Sequence, residues 1–182
     1  MEREIGEGQF GRVCIGSARI GGGMQKVAIK YLTKEDDKSR LQFTGEALRM
    51  QPLSHDNVVK MLAVCFDSSP YFILMELMVN GDLKTYLRLW KHCQGPGLVP
   101  PLTAGMQLRL AVDVAAGLSY LAGQRITHRD VAARNVLVSD TFTAKLADFG
   151  TKGLDCVVVQ FALSFGCITG LSRNLTAEVS PL

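Results

Sequence analysis

This chain of 182 residues has few histidines, no C-x-x-C cysteine pair and little net charge, and each of these features bears on the class of protein. Only three histidines are present, so a histidine-based metal site has few candidate ligands. The five cysteines are scattered and form no C-x-x-C pair, which favours reduced thiols over a disulfide framework or a zinc site. The net charge of +3 comes without a block of basic residues, so it argues neither for nucleic acid nor for a membrane surface as a partner.

Long apolar runs are lacking as well. The charged N-terminal segment MEREIGEGQF runs straight into glycines, so it does not predict a signal peptide. The most apolar stretch, 156–170, has only fifteen residues and is short for a transmembrane helix. We therefore expect no clear membrane span in this chain.

Hydrophobic periodicity and glycine-rich turns predict an α+β chain, with a β-rich lobe before a helical one. Helices are expected at 34–50, 81–90 and 103–121, the last with Thr103 as its N-cap. Strands are expected at 3–17, 27–31, 61–66, 71–76, 135–138 and 144–147. The composition changes at residue 150, because the last 32 residues hold only four of the 37 charged residues.

The glycine-rich segment 6–13, GEGQFGRV, fits the pattern G-x-G-x-x-G-x-V. Gly6, Gly8 and Gly11 have no side chains, so the backbone there can lie close over a triphosphate and offer its amides to the oxygens. A flexible hairpin is the alternative interpretation. A dinucleotide-binding turn is excluded, because no helix is predicted after the third glycine.

Lys30 ends the motif VAIK on the strand that follows this hairpin. Its ammonium can bridge the α- and β-phosphates of a nucleotide if a carboxylate holds it in place. Glu46 on the next helix is the candidate partner, whereas we expect Glu35 at the solvated start of that helix. A lysine that snorkels from an edge strand is the other interpretation of Lys30.

The most specific segment is 128–135, HRDVAARN. Phosphoryl transfer to a hydroxyl needs a carboxylate that orients the hydroxyl and accepts its proton, and Asp130 is the candidate. Asn135, five residues on, can offer a neutral oxygen to a magnesium ion, and Asp148 of the DFG segment 148–150 is a second candidate ligand. We interpret His128 as a packing and hydrogen-bonding residue rather than as a general base.

These four segments stand in the order of the protein-kinase signature set, so the chain resembles a protein kinase. Ala132 stands where serine/threonine kinases usually have lysine, and Arg134 resembles the arginine of receptor-type tyrosine kinases. The segment 75–88, MELMVNGDLKTYLR, is similar to the hinge and following helix of insulin-receptor-like kinases. The resemblance implies a partial bilobal kinase domain over 1–150, with a complete N-lobe at 1–78 and the start of a truncated C-lobe at 79–150.

The resemblance also implies a role for each site residue. Four residues position the nucleophile or neutralise phosphate charge: Lys30, Glu46, Asp130 and Arg134. Two residues hold magnesium: Asn135 and Asp148. Met75 is the expected gatekeeper beside the adenine ring. By the same resemblance, Gly6, Gly8 and Gly11 bind phosphate, and the hinge backbone of Glu76 and Met78 binds adenine. The walls of the adenine slot are formed by Ile5, Val13, Ala28 and Leu137. Asp82 contacts the ribose. Ordinary core packing is the alternative for the apolar members.

The implied function is that of an ATP-dependent protein tyrosine kinase that uses ATP and Mg²⁺ and phosphorylates a tyrosine of a protein substrate. The alternative is a catalytically inactive ATP-binding fragment or a dominant-negative variant, because the expected peptide-binding segments are missing from this sequence. We expect a parent that is a single-pass plasma-membrane receptor and dimerises, with this part on the cytoplasmic side. The helix 103–121 has a broad apolar face without an expected cover, so a chaperone is an expected partner of the isolated chain.

The tail at 151–182 does not resemble a kinase and contains no A-P-E motif. Removal of 151–170 would join the DFG segment to LSRN at 171–174, the order that receptor-type tyrosine kinases often have. Our hypothesis is that 151–170 are an in-frame insertion from a retained intron or a splice variant. The alternatives are a short membrane segment and a strand that caps the truncated lobe.

If the insertion is a retained intron, we expect a spliced message that joins the codons of Gly150 and Leu171 directly. Sequencing of the transcript measures this. A spliced message that encodes 151–170 as a supported exon would contradict the retained-intron form of the hypothesis.

Overall fold

The computed structural model describes residues 3–7, 11–34, 36–92 and 102–149. The helices in these ranges are α1 (Asp37–Met50), α2 (Leu83–His92) and α3 (Ala104–Gly123). The strands are β1 (Arg3–Glu7), β2 (Gly11–Ile20), β3 (Gly23–Leu32), β4 (Met61–Cys65), β5 (Phe72–Glu76), β6 (Val136–Val138) and β7 (Ala144–Leu146). A 3₁₀ turn at Ala133–Asn135 precedes β6.

The first five strands form one antiparallel sheet in the order β1-β2-β3-β5-β4. Its longest pairing is the hairpin of β2 and β3, which are paired along their whole length. The two turn residues, Gly21 and Gly22, have φ of 59° and 86°, which glycine adopts without strain. The register set by this turn places Lys30 opposite Val13.

Helix α1 packs on the sheet and begins at its capping residue. The side chain of Asp36 accepts a hydrogen bond from the backbone N–H of Ser39 at 2.9 Å, as an N-cap does. Phe43 and Ala47 are buried against the sheet, and Glu46 lies on the same buried face. The sheet and α1 form the first lobe, and α1 carries one carboxylate into its interior.

Helix α3 is the longest helix of the second lobe, which also contains α2 and the two-stranded sheet of β6 and β7. Thr103 is its N-cap, because its hydroxyl accepts a hydrogen bond from the N–H of Met106 at 3.2 Å. The inner face of α3 packs against β7 and the core around it. That face carries Leu110, Val114, Gly117 and Leu121.

The loop 51–60 joins the two lobes in addition to the chain between β5 and α2. The N–H of Leu146 donates to the carbonyl oxygen of Asn57, and the N–H of Val59 donates to the carbonyl oxygen of Leu146, both at 2.9 Å. The side-chain amide of Asn57 also donates to the carbonyl oxygen of Ala144 at 3.0 Å. These bonds fix β7, and therefore the residues that follow it, relative to the first lobe.

The predicted α+β class and the predicted order of elements are confirmed, whereas most element boundaries differ by one to four residues. The predicted strand 3–17 is two strands, and the second extends to residue 20. The helix predicted from residue 34 begins at residue 37, because Asp36 caps it. Across the described ranges, none of the helices combines the length and apolar character that a membrane span requires.

We expect Gly117→Ala to lower the free energy of unfolding by about 1–3 kcal/mol, because overpacking of a tight contact is destabilising. A Cβ at Gly117 would lie 2.5 Å from the carbonyl oxygen of Asn57 and 2.9 Å from Leu146 Cδ1. Gly105→Ala on the same helix is the matched control, because a Cβ there meets only Thr103 Oγ1, at 3.9 Å. Urea unfolding of the full chain measures both. Equal free energies for the two variants would contradict the close contact of α3 with the loop 51–60.

Candidate active site

A buried ion pair between the sheet and α1 lies at the centre of the site. Lys30 Nζ on β3 is 2.6 Å from Glu46 Oε1 and 3.3 Å from Asp148 Oδ1. The side chains of Lys30 and Glu46 are 6% and 4% exposed, whereas that of Asp148 is 53% exposed. One ammonium therefore connects the sheet, α1 and the segment that follows β7.

The charge state of Lys30 depends on these two carboxylates. Burial by itself lowers the pKa of Lys30, but the negative charges of Glu46 and Asp148, and the hydrogen bonds with them, outweigh it. The net result is a pKa above the ordinary value of 10.5. Lys30 is therefore an ammonium at neutral pH, which is the form that binds phosphate oxygens.

The segment 128–135 forms a tight loop before β6. Arg134 Nη2 donates a hydrogen bond to Asp130 Oδ1, and Asn135 Nδ2 donates to the backbone carbonyl oxygen of Asp130 at 2.7 Å. Because the amide nitrogen of Asn135 is used in this way, its side-chain oxygen is the atom left for a cation. The side chain of Asp130 is 21% exposed, so solvent or a substrate can reach it.

His128 and Phe149 form the packed interior beneath this loop. Phe149 is buried and meets the ring of His128 edge-on, with ring centroids 6.1 Å apart. Burial lowers the pKa of His128, and its Nδ1 accepts a hydrogen bond from the N–H of Asp130 at 3.4 Å. His128 therefore orients the backbone of Asp130 rather than facing solvent as a base.

Two residues of these segments have strained backbones. Arg129 has φ of 69° and Asp148 has φ of 54°. Positive φ is uncommon for residues with a Cβ and persists only where surrounding contacts hold it. Such strain is often found at functional sites, which agrees with the interpretation of 128–135 and 148–150 as the reactive segments.

On the sheet side of the predicted nucleotide slot, the strand register brings the expected wall residues together. Ala28 on β3 lies opposite Met75 on β5, and Val13 on β2 lies opposite Gly6 on β1. Ile5, at the edge of the sheet, is 45% exposed. The walls are therefore apolar and, at the edge strand, open to a ligand.

On the side of the second lobe, Leu137 and Asp82 are neighbours through an isolated β-bridge. Asp82 Oδ1 accepts a hydrogen bond from the N–H of Thr85 at 2.9 Å, so one carboxylate oxygen is already used at the start of α2. The side chain of Met78 is buried, which leaves its backbone as the group expected to face a base.

The glycines predicted to bind phosphate are only partly described. Gly8 lies outside the described residues, as do Gly150 and the alternative carboxylate Glu35. A Cβ at Gly11 would lie 2.0 Å from the carbonyl oxygen of Tyr31. The hairpin itself therefore requires glycine at position 11, independently of any phosphate.

Lys145 is a residue of this region that the sequence motifs did not predict. Its Nζ lies 2.8 Å from Glu76 Oε2 and 3.0 Å from Glu76 Oε1, and the latter oxygen also accepts a hydrogen bond from the N–H of Lys60 at 2.7 Å. The side chain of Glu76, whose backbone was expected to bind adenine, therefore links β5 to β7. The available signal was a lone lysine between the buried Ala144 and Leu146 in a three-residue strand.

A cavity of about 480 Å³ borders this second ion pair rather than Lys30, Asp130 and Asp148. Its lining is mostly polar and includes Asp56, Asn57, Glu76, Leu77, Met78, Asp113, Ser139, Asp140, Thr141, Thr143 and Lys145. Glu76 and Met78 are the members that it shares with the predicted nucleotide site. The residues predicted to take part in the reaction therefore do not line this cavity.

The chain belongs to the protein tyrosine and serine/threonine kinase family, whose family model matches residues 1–154. Insulin-like growth factor 1 receptor of Bos taurus is 38% identical over 159 residues, which cover 82% of this chain and 24% of that protein. Insulin receptor-related protein of Mus musculus is 39% identical over 154 residues, which cover 81% of this chain and 12% of that protein. The predicted resemblance to insulin-receptor-like tyrosine kinases is confirmed. The chain spans a quarter or less of the length of these relatives.

Both residues predicted to hold magnesium, Asn135 and Asp148, lie within the described part of the chain. In the part of the chain that the structure describes, no group of three or more His, Cys, Asp or Glu side chains could hold a metal ion. Asn135 and Asp148 supply oxygen atoms, which Mg²⁺ prefers, and Mg²⁺ usually completes its shell with phosphates and water. The donor set is therefore compatible with MgATP.

We expect Lys30→Met to lower the free energy of unfolding by about 3–5 kcal/mol at neutral pH, because Glu46 would lose its partner in a buried site. The folded-state pKa of Lys30 is raised, so the ion pair contributes fully below pH 10.5, the ordinary value, and is lost as the pH rises through the folded value. Urea unfolding between neutral and strongly alkaline pH measures the difference. Lys60→Met, at an exposed position, is the control. If the difference in the free energy of unfolding between the wild type and Lys30→Met already shrinks well below pH 10.5, the raised pKa of Lys30 is contradicted.

Proposed function

We propose that this chain carries the site at which a protein tyrosine kinase transfers phosphate from MgATP to the tyrosine hydroxyl of a protein substrate in receptor signalling. The observation that carries the proposal is the contact of Lys30 with Glu46 at 2.6 Å and with Asp148 at 3.3 Å. In active protein kinases a strand lysine is held by a helix glutamate while the DFG aspartate is also in place. The described residues have this combination.

In this proposal the nucleotide lies between the two lobes. The backbone of Glu76 and Met78 binds adenine, and Ile5, Val13, Ala28 and Leu137 enclose the ring beside the gatekeeper Met75. Lys30 contacts the phosphates beneath Gly6, Gly8 and Gly11, and Asp82 contacts the ribose. The support is the register of Ala28 with Met75 and the bridge of Leu137 with Asp82.

The reaction is an in-line displacement at the γ-phosphorus. Asp130 accepts a hydrogen bond from the tyrosyl hydroxyl, orients its oxygen and takes its proton as the new O–P bond forms and the bond to the leaving ADP oxygen breaks. Magnesium, when bound at Asn135 and Asp148, neutralises charge on the phosphates. Arg134, which contacts Asp130, adds positive charge beside the transferred group.

We also propose the organisation of the chain. Residues 1–78 form the N-lobe, 79–150 begin the C-lobe, and 151–182 are a separate tail. The family match supports this division, because it ends at residue 154. The relatives are named as receptors, and we propose that this part lies on the cytoplasmic side of a receptor that dimerises.

A catalytically inactive, ATP-binding or dominant-negative variant is the second candidate. The observation that favours it is the absence of a family match over the last 28 residues, 155–182, where kinases continue with substrate-binding segments. This candidate predicts that ATP binds without transfer. It shares the nucleotide site with the first candidate and differs only in the transfer step.

We expect Asp130→Asn to lower the rate of autophosphorylation by about 10²–10⁴-fold, because the proton acceptor is lost, while ATP binding persists. Incorporation of phosphate from labelled ATP measures the first quantity, and calorimetric titration with MgATP measures the second. Asp67→Asn, at an exposed position between β4 and β5, is the matched control and should leave both unchanged.

The outcomes separate the candidates. Transfer by the wild-type chain that depends on Asp130 supports the kinase. ATP binding without transfer by the wild-type chain supports the inactive variant. A chain that binds no ATP would overturn both.

A further inference from the structure

Asp113 is a half-buried carboxylate on the face of α3 that packs against β7. It follows Leu110 by three residues and precedes Gly117 by four, so it shares their side of the helix. Asp113 Oδ2 accepts a hydrogen bond from the N–H of Ala144, the first residue of β7, at 2.9 Å. Ala144 is fully buried, and a buried amide needs an acceptor from the protein. Asp113 supplies that acceptor.

The carbonyl group of Ala144 is held from a different direction. Asn57 Nδ2 donates a hydrogen bond to this oxygen at 3.0 Å, and Asn57 belongs to the loop 51–60, which joins the two lobes. Ala144 therefore has two side-chain partners, Asp113 from α3 and Asn57 from this loop. Because β7 has only three residues, its ladder with β6 is short, and contacts with neighbouring elements matter for its position.

Strand β7 leads directly to Asp148. Only residues 145–147 lie between Ala144 and Asp148, so little chain is available to absorb a shift of the strand. Asp148 has φ of 54°, a conformation that persists only where surrounding contacts hold it. Its Oδ1 lies 3.3 Å from Lys30 Nζ, and a displaced β7 would lengthen this distance.

We propose that Asp113 is a positioning residue for the phosphoryl-transfer site. Through the amide of Ala144 it fixes β7, and β7 places Asp148 at Lys30 and at the magnesium ion of the nucleotide. The magnesium part of this inference rests on the proposed function, whereas the contact with Lys30 does not. Asp113 lines the cavity beside Glu76, which none of the reactive residues line, so it acts through β7 and not by contact with the substrate.

Amide hydrogen exchange of the nucleotide-free full chain tests the effect on β7. We expect Asp113→Ala to raise the exchange rates of the Ala144 and Ala147 amides by at least about tenfold, because β7 opens more easily. Asp113→Asn keeps an acceptor oxygen but loses the charge, and charge-assisted hydrogen bonds are roughly twice as strong as neutral ones, so its rise should be smaller. Arg109→Ala, at an exposed position of the same helix, is the matched control and should leave both rates unchanged.

The amides of β3 show whether a variant opens as a whole. A rise at Ala144 with Ala147 at its wild-type rate overturns the proposal, and so does an equal rise in β3 and β7. If Asp113→Ala does not fold, Asp113→Asn decides alone. A rise at both amides with β3 unchanged then supports the proposal, and wild-type rates at both overturn it.

Calorimetric titration with ATP, with and without Mg²⁺, tests the part that rests on the proposed function. We expect Asp113→Ala to weaken the binding of MgATP by about tenfold, as is typical when the support of a metal ligand is lost, and to leave the binding of metal-free ATP unchanged. Equal weakening of both indicates a general loss of structure and overturns the positioning role, as does unchanged binding of MgATP. If the wild-type chain binds ATP under neither condition, the proposed function fails, while the exchange rates still decide whether Asp113 fixes β7.

Discussion

The arrangement of this molecule depends on one buried ion pair, that of Lys30 with Glu46. Removal of two charges from water is unfavourable, and only close contact and good hydrogen bonds compensate for it. The position of α1 is therefore constrained, because a shift of the helix would leave an ammonium in the interior without its carboxylate. Asp148 contacts the same ammonium, so the segment after β7 is sensitive to the position of α1.

A second set of contacts, separate from the Lys30–Glu46 ion pair, connects the first lobe to β7. Glu76 and Lys145 join β5 to β7 through side chains, and Asn57 joins the loop 51–60 to β7 through backbone and side-chain bonds. Strand β7 has only three residues, so its own ladder with β6 offers little rigidity. Its position is set by these contacts with the first lobe together with its packing on α3, and Asp148 lies two residues after its end.

The site residues that could be predicted from the sequence are those that belong to local sequence motifs. Lys30, Asp130 and Asp148 stand in motifs whose spacing alone identifies them, and Thr103 was recognisable as a cap. Lys145 was missed because its partner is 69 residues away in sequence, and the contact depends on how the two separate sheets lie relative to each other. Gly11 was assigned to phosphate binding, although the Tyr31 carbonyl already excludes a larger residue there. Contacts of this kind become visible only in the folded chain.

The inner apolar face of α3 also affects how the chain is made. Translation proceeds at about 5–20 residues per second, so residues 144–146, which supply β7, follow the end of α3 by about one to four seconds. The inner face therefore stays bare on the ribosome during that interval. Nascent chains in that interval are exposed to association with one another, and slower or paused synthesis between residues 123 and 144 would lengthen the exposure.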